Sequence, residues 1–362
     1  MRYDLAMSSR FDRPELDATR FFAFCAVFCH HFTLDYRRWG IIHDTGAYGM
    51  SLFFMMSAYL IVTLLIKEQR TTGTISIGAF FIRRALRIWP LYFLMLAFAV
   101  LLGHFYEPGR IPRGALTALA FGLGNVWVAH HGWALKWMQP LWSLSVEEQF
   151  YVGIPSLVKI VRRSVLIAFF VVVIAFSYAT LIWLAPRGAT PMVEVWVNSF
   201  VEFQFFAAGG LLALWHSGRE IRLKGAARLA LVGTGLALWV VAVHVCKLQD
   251  WHPISWQKLV VGYACVLIGT LALFVGVLDT TLTIPPTVRY LGKITYGLYV
   301  FHALFLWLFL DQWGRYIPLS NGGRVVLAGL ATVATAMVSY QFFERPFLTL
   351  KYRFERVHSR PA

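Results

Sequence analysis

Eleven apolar stretches, each about as long as a bilayer-crossing helix needs, divide this 362-residue chain almost end to end. They fall at residues 16–35, 46–66, 88–105, 112–129, 141–158, 164–185, 195–215, 227–246, 257–277, 288–310 and 323–343. In lipid a backbone must satisfy its own hydrogen bonds, and for runs of this length that means helix. Composition agrees: 58% of the residues are hydrophobic and only 14% charged, too few to cover a water-soluble surface of this size. The expected fold class is all-α, a polytopic membrane helical bundle.

The formal charge of +15 is gathered between the apolar stretches, so it reads as a topology signal, and no nucleic-acid partner is expected. Arg2, Arg10 and Arg13 put the N-terminus in the cytoplasm, and Lys67, Arg70, Arg83, Arg84 and Arg87 put the second loop there. Were all eleven stretches to cross, Arg219, Arg222, Lys224, Arg228 and the basic tail would lie outside. One stretch that does not cross repairs both violations. Residues 141–158, bracketed by Pro140 and Pro155 and carrying Glu147 and Glu148, are the natural choice for a re-entrant or amphipathic segment. That leaves about ten transmembrane helices with both termini cytoplasmic, in the cell's inner (plasma) membrane. Residues 1–15 read as a cytoplasmic N-terminal segment, 16–347 as the membrane domain and 348–362 as a basic cytoplasmic tail. The polar N-terminus lacks the apolar core and cleavage site of a signal peptide. Cys25, Cys29, Cys246 and Cys265 all sit in apolar stretches and are expected as free thiols. No metal site is expected, since no second cluster has ligand spacing.

The first stretch, LDATRFFAFCAVFCHHFTLD, carries Arg20, His30 and His31 where lipid alone favours none. An ionisable group at the centre of a spanning helix costs ~2.5 to 3.5 kcal/mol, so it normally faces the protein interior and has a role. Eleven residues make three turns plus about 20°, so Arg20 and His31 share one helix face, roughly 16 Å apart along the axis. His30 points about 100° away. Asp35, four residues after His31, is placed to accept a ring N–H and set the tautomer. The alternative is that both histidines are interfacial residues snorkelling at a helix end.

Three further stretches carry polar groups. In LWSLSVEEQFY, Glu147 and Tyr151 share a face, placed to anchor a group from the first helix or to bind acceptor hydroxyls; otherwise Glu147 is a helix-start carboxylate at the membrane surface. In FFIRRALRIWP, Arg83, Arg84 and Arg87 form a compact guanidinium cluster suited to phosphate, or to lipid headgroups. Ser57 lies in a stretch of small residues, and Tyr296 and His302 in KITYGLYVFH.

Together these blocks resemble the acyltransferase-3 family of integral-membrane acyltransferases. Arg20 and His31 match its R-x10-H motif, and GMSLFFMMSAYLI resembles its glycine-to-FF-to-SGF stretch. RRALR resembles the arginine-rich RRxxR segment, and WSLSVEEQFY the WSLxxEEQFY block. GKITYGLYVFH is similar to GKxSYxxYxxH, and FFERP to the final E-x-P. The blocks follow family order from residue 16 to 347, with Ala58 where a glycine is usual and no arginine in residues 202–214 where one is often found.

The resemblance implies no bound cofactor and an acyl-CoA co-substrate, acetyl-CoA first, on the cytoplasmic side. Its acyl group would pass to a hydroxyl of a saccharide or glycan acceptor, making the chain an O-acyltransferase. It implies catalytic roles for His31 as general base or acyl carrier, for Arg20 beside the donor thioester and for Glu147. Arg83, Arg84 and Arg87 would then bind the donor, with Asp35, Tyr151, Ser57, Tyr296 and His302 in acceptor contact or support. Membrane lipids are the other expected partners. A transporter or flippase of a glycolipid or small solute is the competing class. Within enzymes, His30 and Asp35 form an H-x4-D pair of the kind used by glycerolipid acyltransferases.

Overall fold

The computed structural model describes residues 13–32, 36–106, 111–134, 136–185, 192–249 and 254–357, and among them the secondary structure is helical, with no strand. In chain order the helices are α1 (Pro14–His30), α2 (Tyr36–Gly46), α3 (Gly49–Thr72), α4 (Ile77–Tyr106), α5 (Arg113–Ala120), α6 (Gly124–His131), α7 (Leu141–Ile160) and α8 (Arg163–Leu184). They continue as α9 (Met192–Val197), α10 (Ser199–His216), α11 (Gly225–His244), α12 (Trp256–Val277), α13 (Pro286–Lys293), α14 (Thr295–Leu306), α15 (Asn321–Ser339) and α16 (Arg345–Lys351).

Six described helical segments are long and apolar enough to cross a membrane, or seven if the pair α13–α14, bent by 72°, is one span. The chain is therefore a membrane helical bundle. Its centre is α3, buried along most of its length and packed on α10 by stacked rings of Phe54 and Phe206, 4.7 Å between centroids. Gly209 makes that contact possible: a Cβ there would stand 2.1 Å from the Met55 carbonyl oxygen. Close backbone approach at small residues is the usual way helices associate in lipid. Gly292 of α13 does the same against Asp17 of α1, at 2.2 Å from its carbonyl oxygen.

Hydrogen bonds sort the helix ends. The start of α4 is tied to the end of α3 and to the C-terminal segment, because Arg83 donates to Glu68 Oε2 at 3.0 Å and to the Phe354 carbonyl at 2.7 Å. Arg13, just before α1, pairs with Asp279, which also meets His216 at the end of α10 at 2.6 Å. Arg163 at the start of α8 donates to the Leu214 carbonyl at 2.6 Å. Thus the basic segments share one end of the bundle. At the other end lie His31, His302 and Trp307, the last packed on Trp137 at 5.7 Å.

This arrangement bears on two of the eleven stretches. Residues 141–158 lie in α7, which runs unbroken for 20 residues through Pro155, from the Tyr299 side to the start of α8, and is not among the six segments long and apolar enough to cross. Pro140 precedes its first residue, where a missing N–H costs nothing. The stretch 112–129 is instead two eight-residue helices, α5 and α6, folded back on each other so that Gly114 packs on Trp127. Ile111, just before α5, touches Gly103 near the end of α4, whereas Leu119 accepts from Tyr92 Oη at 2.8 Å, about three turns back along α4. Gly122, at φ 69°, makes the turn, and Gln149 of α7 donates to its carbonyl at 2.9 Å.

Candidate active site

The polar groups of the bundle form two neighbouring sets. The first lines a cavity of about 300 Å³ at the basic end, reached by Arg20, Arg84, Arg87, Glu147, Tyr151 and Tyr299. α1 contributes Arg20, whose Nη1 donates to Asp17 Oδ1 at 2.7 Å. Asp17 is one turn earlier and almost fully buried, fixed where Gly292 presses on its backbone. α4 contributes Arg84, whose guanidinium lies 5.3 Å from the Tyr151 ring centroid. Tyr151 donates to Glu147 Oε2 at 2.8 Å and shares a 2.6 Å hydrogen bond with Ser57, joining α7 to α3. Glu147 therefore faces Tyr151 and Ser57, with Arg84 and Arg87 of α4 nearby.

Tyr299 and Ser143 mark the far end of this cavity. Their hydroxyls are 2.7 Å apart, and Tyr299 Oη also lies 2.7 Å from the Pro140 carbonyl. One turn further along α14 stands His302, fully buried, with Phe24 edge-on at 5.8 Å. His302 Nδ1 is 2.6 Å from the Tyr299 carbonyl, and its Nε2 is 3.3 Å from His31 Nδ1. His31 Nδ1 is also 2.8 Å from the Val27 carbonyl.

These contacts set the tautomers. A carbonyl only accepts, so each imidazole carries its proton on Nδ1. His302 then offers its Nε2 lone pair to the shared His31 N–H. His31 Nε2 is left as a basic lone pair on a half-buried ring. Such a nitrogen can take a proton from a hydroxyl or attack a thioester.

Arg20 lines the cavity, whereas His31 lies beyond it, past His302 and Tyr299. Of the cluster on α4, Arg84 and Arg87 line the cavity, whereas Arg83 also spans Glu68 and Phe354. Tyr296 lines it too and donates to the Ile88 carbonyl at 2.7 Å. Asp35 lies outside the described residues, and the N–H assigned to it meets Val27 and His302. His30 turns to the His43 carbonyl at 3.0 Å. Sequence reading assigned nothing to Asp17, Ser143, Glu68, Lys293 or Lys351, which also line the cavity. Asp17 had a signal, three residues before Arg20; Lys351 comes from the tail and had none. The four cysteines are free, and the described residues hold no group of three or more metal-ligating side chains.

Fold and site together define a membrane-embedded helical bundle with a cation-lined cavity at one end and paired imidazoles beyond its far limit. The chain belongs to the acyltransferase family whose domain, described as "Acyltransferase domain", it matches over residues 13–341. It is 24% identical to the peptidoglycan O-acetyltransferase OatA of Listeria monocytogenes, over 92% of this chain and 55% of that protein. A putative peptidoglycan O-acetyltransferase of Bacillus subtilis, YrhL, is 24% identical over 94% and 55%. The O-acetyltransferase OatA of Staphylococcus aureus is 24% identical over 92% and 57%. The chain thus spans little more than half the length of these relatives. No solved structure matches it.

Proposed function

We propose that this chain moves an acyl group, acetyl first, from acyl-CoA on the cytoplasmic side to a hydroxyl of a saccharide acceptor reached from the other side. The observation that carries the reading is the His31–His302 pair, 3.3 Å apart, beyond the Tyr299 end of a cavity lined at its mouth by arginines. Family membership supports the reaction type, and the names of the relatives support a cell-envelope glycan such as peptidoglycan as acceptor.

Arg84, Arg87 and Lys351 offer the cationic donors that phosphates require, and the cavity admits the acyl-bearing arm of the donor. Arg20 stands in the same cavity, placed to orient the donor. His31 Nε2 accepts the hydroxyl proton as the acceptor oxygen bonds to the acyl carbon and the thiolate leaves, to be protonated as free CoA. In the two-step form Nε2 itself first carries the acyl group.

Ten crossings fit the arrangement of helix ends: α1, α3, α4, α7, α8, α10, α11, α12, the bent α13–α14 and α15, with α5–α6 re-entrant from the outer side. An even number returns Phe354 to the side of Arg83, as their hydrogen bond requires. Both termini then lie in the cytoplasm of an inner-membrane protein.

The test is transfer of label from acetyl-CoA to glycan in membranes carrying His31→Ala. Loss of general-base catalysis lowers the rate ~10²- to 10⁴-fold, with insertion unchanged. Full activity in that variant overturns the assignment.

A further inference from the structure

A second groove opens at the basic end, on the opposite side of α3 from the cavity. It has a volume of about 790 Å³, and Arg13, Lys67, Arg70, Arg219 and Arg222 line it against a single carboxylate, Glu220. Glu220 is already engaged, since its Oε2 accepts from Arg222 Nε at 3.1 Å and Nη2 at 2.9 Å. The floor is rigid and polar. Tyr59 Oη lies 2.6 Å from Nδ1 of the buried His216, whose Nε2 lies 2.6 Å from Asp279 Oδ2.

Asp279 is likewise committed, accepting from Arg13, from His216 and from the Ile221 backbone N–H at 2.8 Å. The carboxylates near the groove are therefore spent on the framework, and the guanidinium groups of Arg70 and Arg219 also line it. Arg219 is stacked 5.7 Å from the ring centroid of Trp215, itself half exposed. Tryptophan with arginine at this level is the composition of a membrane interface. Basic pockets between helices on the cytoplasmic side are where anionic headgroups bind.

We propose that this groove is a phosphate-binding site, separate from the acyl-transfer cavity, with Arg70 and Arg219 as its principal ligands. The shared chemistry is a phosphate oxygen meeting forked guanidinium donors. It is supplied either by the headgroup of an anionic phospholipid or by a soluble phosphate. The site does not depend on the acyl-transfer reading, for no residue of the His31–His302 pair takes part.

The experiment compares the full chain with R70Q/R219Q, with the charge-keeping R70K/R219K, and with R345Q/R353Q, which removes the same charge from exposed positions elsewhere at this end. One arm counts retained phosphatidylglycerol by native mass spectrometry after exchange from nanodiscs of phosphatidylcholine containing phosphatidylglycerol. The other titrates inorganic phosphate against thermal unfolding in detergent. R70Q/R219Q is expected to lose about tenfold or more in affinity, the worth of a charge-assisted hydrogen bond; R70K/R219K, which keeps the charge but not the fork, is expected to lose less, and R345Q/R353Q to hold within a few-fold. Loss in the lipid arm alone names a lipid headgroup; loss in the phosphate arm names a soluble anion. Equal loss in R345Q/R353Q, or unchanged binding in R70Q/R219Q, overturns the proposal, because the cations would then only complement the helix C-termini at which they sit.

Discussion

At the scale of single residues, the arrangement turns on which nitrogen of His31 is free. Val27 and His302 both engage Nδ1, so in the proposed mechanism Nε2 is the atom left to react. On that proposal His302 is a positioning residue. Replacing it with Ala leaves the Val27 hydrogen bond but removes the second acceptor and opens a cavity beside Phe24, allowing the imidazole to turn. The expected result is a kcat lower by ~10²-fold, the usual cost of a misplacement of about 1 Å. Steady-state transfer assays check this: KM for acyl-CoA should not change, since the donor cavity ends at Tyr299. A rise in KM with kcat intact would place His302 in donor binding instead. The pairing of these histidines is separated by 271 positions, and nothing in either local sequence announces it. Arg20 and His31 were legible from spacing because one continuous helix carries Arg20 and ends beside His31. What spacing did not show is that the cavity reaches only the first of the two.

Among the helices, close approach decides what can change. Gly209 lies directly against backbone, with Met55 O at 2.1 Å and Tyr59 N at 3.1 Å from any Cβ placed there. Neither neighbour is a flexible side-chain end, so α3 and α10 must separate to admit a methyl group. Gly209→Ala should destabilise the bundle by ~1 to 3 kcal/mol, the range for overpacking, read as a lower thermal midpoint in detergent. Gly233, with nothing near its Cβ, is the control, and Gly233→Ala should leave the midpoint unchanged or higher. A second prediction belongs to the joint between α1, α10 and α12. Burial works to raise the Asp279 carboxyl, but the Ile221 N–H, Arg13 and His216 outweigh it and hold the group below the usual carboxylate range. A depressed folded value contributes stability above the unfolded value, ~3.9, which is lost as pH falls through the folded one. Asp279→Asn keeps the left-handed backbone at φ 52°, a conformation both residues tolerate. It should therefore cost stability near pH 7, by ~1 to 3 kcal/mol for the lost charged hydrogen bonds. The difference from the native chain should shrink below about pH 4. Unfolding midpoints measured from pH 7 to 3 check the sign; a constant difference would show that Asp279 is not held ionised by this joint.

For the whole molecule, the family, the all-helical class and the membrane setting were legible because long apolar runs leave lipid-embedded helix as their form. Which run fails to cross is read from the proposed topology. Loop charge demanded one fewer crossing without saying where, and Glu147 and Glu148 drew the choice to 141–158. In the fold Glu147 is accommodated by Tyr151 and by the charge of Arg84 and Arg87, so α7 stays intact. The stretch 112–129 carries its own signal in Phe121-Gly122-Leu123-Gly124, two glycines in its middle, where a positive φ makes the turn. If α5–α6 is a re-entrant hairpin, Arg113 and His131, both exposed, emerge on the same side. Single cysteines at those two positions, in a chain freed of its own four, should both react with a membrane-impermeant thiol reagent added from outside. A cysteine at Arg219, exposed at the basic end, should react only after the membrane is opened. Labelling of positions 113 and 131 from opposite sides would make this stretch a crossing. It would also reverse the direction of α7, which cannot happen while Arg163, three residues past the end of α7, is bonded to the end of α10. The two observations are thus locked together, and one labelling experiment decides the path of the chain on either side of the cation-lined cavity.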